Sequence, residues 1–166
     1  MKKIFSVIAV LCFCFTAMAN KDASGVVLRG EGQLSQYKKA LSQEATGKIL
    51  RSINSMIGET GYVMLDLTPD IYEFYNLDLS NNGPSDSKIT MYVNNLDKKM
   101  YDYKMTIVYD FYQLDGKTYI TARALAPTGA EIFSVSRNGK AANLEELIEI
   151  FSPVTSDVIK NIMSTK

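Results

Sequence analysis

The sequence contains no histidine and no tryptophan, and its only cysteines, Cys12 and Cys14, lie close to the N-terminus. Histidine is the commonest acid–base group near neutral pH and the commonest metal ligand. Its absence excludes Ser-His-Asp and Cys-His catalytic arrangements. We therefore expect no catalytic residue, no metal site and no cofactor, and we predict that the protein is not an enzyme.

The N-terminus has the features of a secretory signal peptide. Lysines at positions 2 and 3 precede an apolar run from Ile4 to Phe15, and Ala17-Met18-Ala19 is a small-x-small cleavage motif. The apolar run is shorter than the roughly 20 residues that cross a bilayer, so an uncleaved anchor is the less favoured alternative. We predict that residues 1–19 are removed and that the mature protein is periplasmic or secreted, in a bacterium, without a membrane span.

The charge balance argues against a nucleic-acid partner. The chain has 18 basic and 18 acidic residues, and removal of Lys2 and Lys3 leaves 16 basic residues against 18 acidic ones. Nucleic-acid binding requires a basic surface that neutralises phosphates. The mature chain would also have no thiol, so its stability must come from a packed core and not from disulfides.

The strongest β pattern runs from Met100 to Ala126 and predicts two long strands joined at Leu114-Asp115-Gly116. Asp-Gly tolerates the positive φ angles of a tight hairpin turn. Apolar residues occupy every second position of the first strand, which predicts one buried face. This buried set is Tyr101, Tyr103, Met105, Ile107, Tyr109 and Phe111. The strand is unusually long, so we expect it to curve or to carry a bulge.

Helical periodicity appears on both sides of this hairpin. Residues 33–58 are apolar at every third or fourth position, which predicts one long helix, with a break at Gly47 as the alternative. Near the C-terminus, Asn143 and Glu146 form a capping box. We predict two short helices there, the first after Asn143 and the second from Pro153.

Three shorter segments alternate apolar and polar residues and are predicted to be strands. They are residues 62–67, 87–94 and 131–136. Residues 69–76 stay open between helix and strand, because Pro69 favours a helix start whereas the aromatic content favours a strand.

The glycine-containing residues 20–32 are predicted to be a flexible lead-in, with an edge strand over 26–28 as the alternative. Residues 33–166 are then a single α+β domain of two layers. We predict an antiparallel meander of about five strands, with the long N-terminal helix and the two short C-terminal helices on one face.

The other face of the predicted meander is largely polar and is the candidate recognition surface. It carries Tyr92, Tyr112, Tyr119 and Arg123. Exposed tyrosine and arginine are enriched in protein interfaces, so we take these four residues as candidates for binding a partner.

Three hypotheses on function follow. The first is a non-catalytic envelope-accessory or binding protein that contacts another protein through the polar face or through Tyr72–Tyr75 and the following loop. The second is a carrier of a small apolar ligand between helix and sheet, lined by adaptable methionines. These are Met56, Met64, Met91 and Met105. The third and least favoured is a hydrolase, which needs two carboxylates within about 10 Å.

Overall fold

The computed structural model describes residues 20–58 and 61–165. The predicted signal peptide, residues 1–19, lies outside the described residues and stays a prediction. The described residues form five strands, four α-helices and one 3₁₀ turn. The elements are β1 (Lys21–Gly30), α1 (Lys38–Ile57), β2 (Val63–Asp66), α2 (Thr68–Phe74), α3 (Asp86–Asn95), β3 (Tyr101–Leu114), β4 (Lys117–Leu125), β5 (Glu131–Gly139) and α4 (Leu144–Ser164). The 3₁₀ turn, Gln33–Tyr37, precedes α1.

The α+β class and the five strands are confirmed, but the sheet is mixed and not wholly antiparallel. Its strand order is β2-β1-β3-β4-β5. The predicted hairpin β3–β4 and its continuation β4–β5 are antiparallel. In contrast, β1 is parallel to both β2 and β3. Parallel neighbours need long crossover connections, and these are supplied by α1 before β2 and by α2 and α3 before β3.

The flexible lead-in predicted for residues 20–32 is wrong. Residues 21–30 form β1, which lies between two other strands. Val26 and Leu28 contact the core on one face of the sheet, and Val27 contacts the core on the other. A strand that is buried on both faces carries apolar residues on both, so apolar and polar residues do not alternate along it. For this reason the sequence of β1 lacks the period-two pattern by which a strand is recognised.

The strand predicted for residues 87–94 is also wrong, because this segment is α3. The Ser85 side chain accepts a hydrogen bond from the backbone N–H of Lys88 and caps the helix. Ile89 and Val93 are buried one helical turn apart, whereas Met91 is exposed. Positions 89 and 93 fit either period, whereas 91 fits only the strand period, and the cap together with packing of one helical face decides for the helix.

Helices cover both faces of the sheet, so the prediction of helices on one face only is incomplete. Side chains of α1 and α4 form one core with the sheet, including Leu41, Phe151 and Val158. Side chains of α2 and α3, such as Ile71 and Ile89, form a second core on the opposite face. The second face is thus closed to solvent wherever these two helices lie.

The predicted C-terminal helix pair is a single helix, α4, with Pro153 inside it. The proline removes one backbone hydrogen bond, but a continuous buried stripe on both sides of it keeps the helix together. The predicted cap at Asn143 is confirmed, since Asn143 Oδ1 accepts from Glu146 N at 3.0 Å. The return bond of the predicted capping box is shifted by one residue, because the Glu146 carboxylate accepts from the backbone N–H of Ala142 at 2.7 Å and not from that of Asn143. The segment left open after Pro69 is helical, in α2. Within the described ranges, no helix is long and apolar enough to cross a membrane.

Candidate functional site

A bulge in β3 decides which aromatic side chains reach the surface. In the pairing with β1, Ala23 lies opposite Tyr103 but Ser24 lies opposite Met105, so Lys104 is an extra residue. The bulge predicted for this long strand is thereby confirmed. An extra residue reverses the facing of the residues before it relative to those after it. Tyr103 therefore packs with the α2–α3 core, whereas Met105 packs with the α1–α4 core.

The reversed end of β3 lies beside α2 and α3, because Tyr103 packs against the same core as Tyr75 and Tyr92. We call the aromatic residues of this region the aromatic patch: Phe74, Tyr75, Tyr92, Tyr101 and Tyr103. The Phe74 ring makes edge contacts with Tyr75 at 5.0 Å and with Tyr92 at 5.2 Å between centroids. Phe74 is 65% exposed, and the four tyrosines are half-buried. Ordered, exposed aromatic rings are typical of the energetic centres of protein interfaces.

Hydrogen bonds fix the helices that carry the patch. The Tyr75 hydroxyl donates to the carbonyl of Lys88 at 2.8 Å and so joins the end of α2 to α3. The buried Tyr72 hydroxyl donates to the carbonyl of Leu28 at 3.1 Å and joins α2 to the sheet. The ammonium of Lys88 also lies 5.1 Å from the centroid of the Tyr75 ring, within cation–π range. The patch is therefore held in place before any partner binds.

Two carboxylates, Asp70 and Glu73, lie beside the patch on α2. Burial raises the pKa of the Tyr92 phenol, and the negative charges of Asp70 and Glu73 raise it further. Both carboxylates are exposed. Among residues 20–58 and 61–165, no salt bridge or side-chain hydrogen bond engages either of them. The patch thus has a negative border.

A second polar cluster, the ion network, joins β1, β3, β4 and α3 through Arg29, Asp86, Asp110 and Arg123. Arg29 contacts Asp110 at 2.7 Å and Asp86 at 2.8 Å. Arg123 contacts Asp86 at 2.7 Å and Asp110 at 3.2 Å. Each carboxylate therefore lies between two guanidinium groups, and the two positive charges balance the two negative ones.

This network meets the distance requirement of a carboxylate hydrolase but not its electrostatic requirement. One nitrogen of Arg123 contacts both Asp86, at 3.0 Å, and Asp110, at 3.2 Å, so the two carboxylates are within about 10 Å of each other. A general acid needs a raised pKa. The hydrogen bond from Arg123 instead lowers the pKa of Asp86, with Arg29 adding to the effect. The network therefore does not favour the hydrolase hypothesis.

The four candidate recognition residues do not form one surface. The rings of Tyr112 and Tyr119 stack at 5.1 Å near the turn of the hairpin. Tyr92 lies on α3 beside Phe74, at the start of β3. The nine positions from Tyr103 to Tyr112 correspond to about 30 Å along a strand. Arg123 belongs to the ion network.

The four methionines predicted to line a carrier pocket are also separated. Met64 is buried and Met105 half-buried in the α1–α4 core, whereas Met56 and Met91 are exposed. An open groove of about 600 Å³ lies between α3 and the turn after β4 and includes Met91. A second, of about 290 Å³, lies beside Gly30. Neither groove lies between α1 and the sheet, where the carrier hypothesis requires one.

Strict alternation through position 104 predicts Tyr101 and Tyr103 in the main core, and the bulge at that position makes this prediction wrong. The hypothesis of a contact through Tyr72–Tyr75 does not include the tyrosines of β3 beside that segment. The length of β3 was the available signal, since it predicted a bulge without locating it. Within the described part of the chain, no group of three or more His, Cys, Asp or Glu side chains is arranged to hold a metal ion.

The sequence matches no known protein family and no curated protein. Solved structures that resemble the fold include the LpoB C-terminal domain from Salmonella enterica, at 12% identity and a TM-score of 0.42, over 74% of this chain and 84% of that one. The LpoB C-terminal domain from Escherichia coli has 14% identity and a TM-score of 0.40 over the same shares. A PelC dodecamer from Paraburkholderia phytofirmans has 11% identity and a TM-score of 0.43, over 82% and 86%. These values are too low to assign a function.

Proposed function

We propose that this is an exported, non-catalytic binding protein that serves an accessory role in the bacterial envelope and contacts a protein partner through the aromatic patch. The observation that carries the proposal is the state of Phe74, which is 65% exposed yet lies in edge contact with two neighbouring rings. An exposed aromatic ring contributes little to the folding stability of the free protein, whereas its burial by a partner contributes favourably to the free energy of binding.

The energetics suit an interface centred on Phe74. Complete burial of a phenylalanine side chain contributes about 1.5–3 kcal/mol. Part of this favourable free energy is normally offset by the entropy lost when mobile side chains become ordered in the interface. Here the rings of Tyr75 and Tyr92 restrict Phe74 in the free protein, so less is lost.

The N-terminal sequence supports the proposal that the protein is exported, and the chemistry of the chain supports the proposal that it is not catalytic. The N-terminal pattern is that of a secretory signal. The sequence contains no histidine, and the charges of the partly buried ion network are paired with one another. These features favour binding over catalysis.

Site-specific photo-crosslinking in cells tests this proposal. A benzoylphenylalanine placed at position 74 should crosslink to a discrete envelope or extracellular protein. The control position is Gln43, which is exposed on α1, the helix that covers the opposite face of the sheet. A crosslinked product from both positions, or from neither, would contradict the proposed role of the patch.

The second stage measures affinity with the partner so obtained. Phe74→Ser should weaken binding by about 10-fold or more, as expected for the central residue of an interface. Met56→Ser is the matched control, because Met56 is also 65% exposed but lies at the end of α1. Equal losses from the two substitutions, or unchanged binding by Phe74→Ser, would count against the proposal.

A second contact is proposed at the turn of the hairpin, where Tyr112 stacks on Tyr119. Tyr112 is 45% exposed. The double variant Tyr112→Ser, Tyr119→Ser in the same affinity measurement tests it. Weaker binding supports this contact, whereas unchanged affinity restricts the interface to the aromatic patch.

A further inference from the structure

We propose that the partner inserts a cationic side chain, arginine or lysine, at the border of the aromatic patch, between the rings of Phe74 and Tyr92 and the carboxylates of Asp70 and Glu73. This inference rests on the proposed function and adds the chemistry of the partner. The docking element is then a basic segment of another protein, and not a purely apolar helix or a neutral strand.

The first observation is the uncompensated negative charge on α2. The helix carries Asp70 and Glu73 and no lysine or arginine. Both carboxylates are exposed, and no ion pair among the described residues includes them. The four charges of the ion network are matched within the molecule. The charge on α2 is instead complementary to a cation from outside.

The second observation is that the patch already accommodates a cation on one of its rings. The ammonium of Lys88 lies 5.1 Å from the centroid of the Tyr75 ring. No such contact is present on Phe74 or Tyr92 within the described ranges. A guanidinium can combine an aromatic contact with hydrogen bonds to a nearby carboxylate, and this combination favours arginine over lysine.

The third observation is that Asp70, Glu73 and Phe74 lie on one helix, α2, and that Tyr92 of α3 lies beside it. Asp70 and Glu73 act electrostatically on the phenol of Tyr92, and Tyr92 contacts Phe74 at 5.2 Å. A cation at this border therefore meets negative charge and aromatic surface together. Because the helix is fixed to the sheet through the Tyr72 hydroxyl, this arrangement exists before binding.

Nuclear magnetic resonance titration of the purified mature protein tests the inference without the natural partner. The probe is the capped pentapeptide Gly-Arg-Gly-Arg-Gly, and the matched control peptide carries citrulline, which is neutral, in place of arginine. The arginine peptide should shift the backbone amide signals of residues 70–75 and 88–92 in a saturable manner. The citrulline peptide should bind about 5-fold more weakly or not at all. Raising NaCl from about 0.05 M to 0.5 M should weaken the arginine peptide further.

Variants identify the groups responsible. Asp70→Asn with Glu73→Gln should reduce affinity for the arginine peptide about 5-fold, and Phe74→Ser should reduce it as well. The control is Glu145→Gln with Glu149→Gln, which removes two exposed carboxylates from α4 on the opposite face. Equal binding of both peptides, shifts spread over the whole surface, or no effect of the α2 substitutions would overturn the inference.

The outcomes separate this inference from the proposed function. If position 74 crosslinks to a partner whose affinity is unchanged by Asp70→Asn with Glu73→Gln and by salt, the patch is an interface and the cationic inference is wrong. If position 74 yields no specific crosslink and the arginine peptide does not bind, both proposals fail. Peptide binding without a crosslinked protein supports the chemistry of the border but contradicts the proposed role of the patch in cells.

Discussion

Arg29 on β1 donates two parallel hydrogen bonds to Asp110 on β3, from Nε at 2.7 Å and from Nη2 at 2.8 Å. The two residues lie directly opposite each other in the parallel ladder. The remaining terminal nitrogen of Arg29 contacts Asp86 at 2.8 Å and donates to the carbonyl of Pro84 at 3.0 Å. One side chain therefore connects the centre of the sheet to the start of α3.

The first prediction is that Arg29→Met destabilises the protein by about 3 kcal/mol near pH 7, because it leaves two partly buried carboxylates, Asp86 and Asp110, with only one guanidinium between them. The measurement is the free energy of unfolding in urea. The double variant Arg29→Met, Asp110→Leu should recover part of the loss, since it leaves one carboxylate, Asp86, with one guanidinium, Arg123. The control Lys160→Met removes an ion pair from a side chain that is 77% exposed, and should change stability by less than about 0.5 kcal/mol. Similar losses from Arg29→Met and Lys160→Met would contradict the structural role of the network.

The second prediction concerns Lys38, whose side chain is fully buried at the start of α1. Its ammonium donates to the carbonyl of Leu79 at 2.6 Å and to that of Asn81, and lies 5.1 Å from the Tyr72 ring. Burial lowers the pKa of Lys38 from 10.5 to about 8, although the charges of Asp78 and Glu31 act in the opposite direction.

Between pH 8 and 10.5 the unfolded chain therefore binds more protons at Lys38 than the folded protein does, and stability rises with pH. We expect a gain of about 2 kcal/mol between about pH 7.5 and 9.5. Above about pH 10 the trend reverses, because burial raises the pKa of Tyr72 and Tyr109 and only the unfolded chain ionises there. Unfolding in urea across this range checks the profile. Lys38→Met should abolish the rise and keep the fall, and a rise that persists in this variant would contradict the assignment.

The third prediction compares two glycines with positive φ angles. Gly30 has a φ of +138°, and a Cβ there would lie 2.3 Å from the carbonyl oxygen of Phe111, whereas Gly116 has a φ of +69° with nothing within 4 Å. Gly30→Ala should destabilise by roughly 3 kcal/mol or more, because the backbone must move as well as adopt a strained angle. Gly116→Ala should cost only about 1 kcal/mol. Thermal unfolding of both variants measures the two losses of stability. Equal losses for Gly30→Ala and Gly116→Ala would contradict the close approach of β1 and β3.

The fourth prediction is that the mature protein begins at Asn20. Intact-mass measurement and N-terminal sequencing of protein isolated from the producing cells should show the loss of residues 1–19. Replacement of Ala19 by a bulky residue should slow processing, and replacement of the exposed Asn20 by serine is the control. A mature chain that still contains Cys12 would contradict the predicted cleavage.

Local sequence patterns were sufficient to predict the elements that are determined by interactions between residues close in the chain. The β3–β4 hairpin follows from its alternation and from Asp115-Gly116, which the structure uses as the turn. The start of α4 follows from the cap at Asn143, and β2 from its short alternating run. In each case the determining interactions are between residues close in the chain, so periodicity and turn chemistry predict them.

Contacts between distant residues decided the rest. Burial on both faces removed the alternation that would have identified β1, and packing of Ile89 and Val93 against the sheet selected helix over strand for α3. Lys38 is buried among residues distant in the chain, the loop that carries Leu79 and Asn81 and the ring of Tyr72.

The sequence by itself determined the α+β class, the hairpin, the export signal as a prediction and the absence of histidine-based chemistry. Only the tertiary structure decided where the aromatic residues lie. The length of β3 indicated a bulge, but its position at Lys104 depends on the pairing with β1. That one extra residue turns Tyr101 and Tyr103 away from the main core and towards α2 and α3, because every side chain before a bulge changes face relative to those after it.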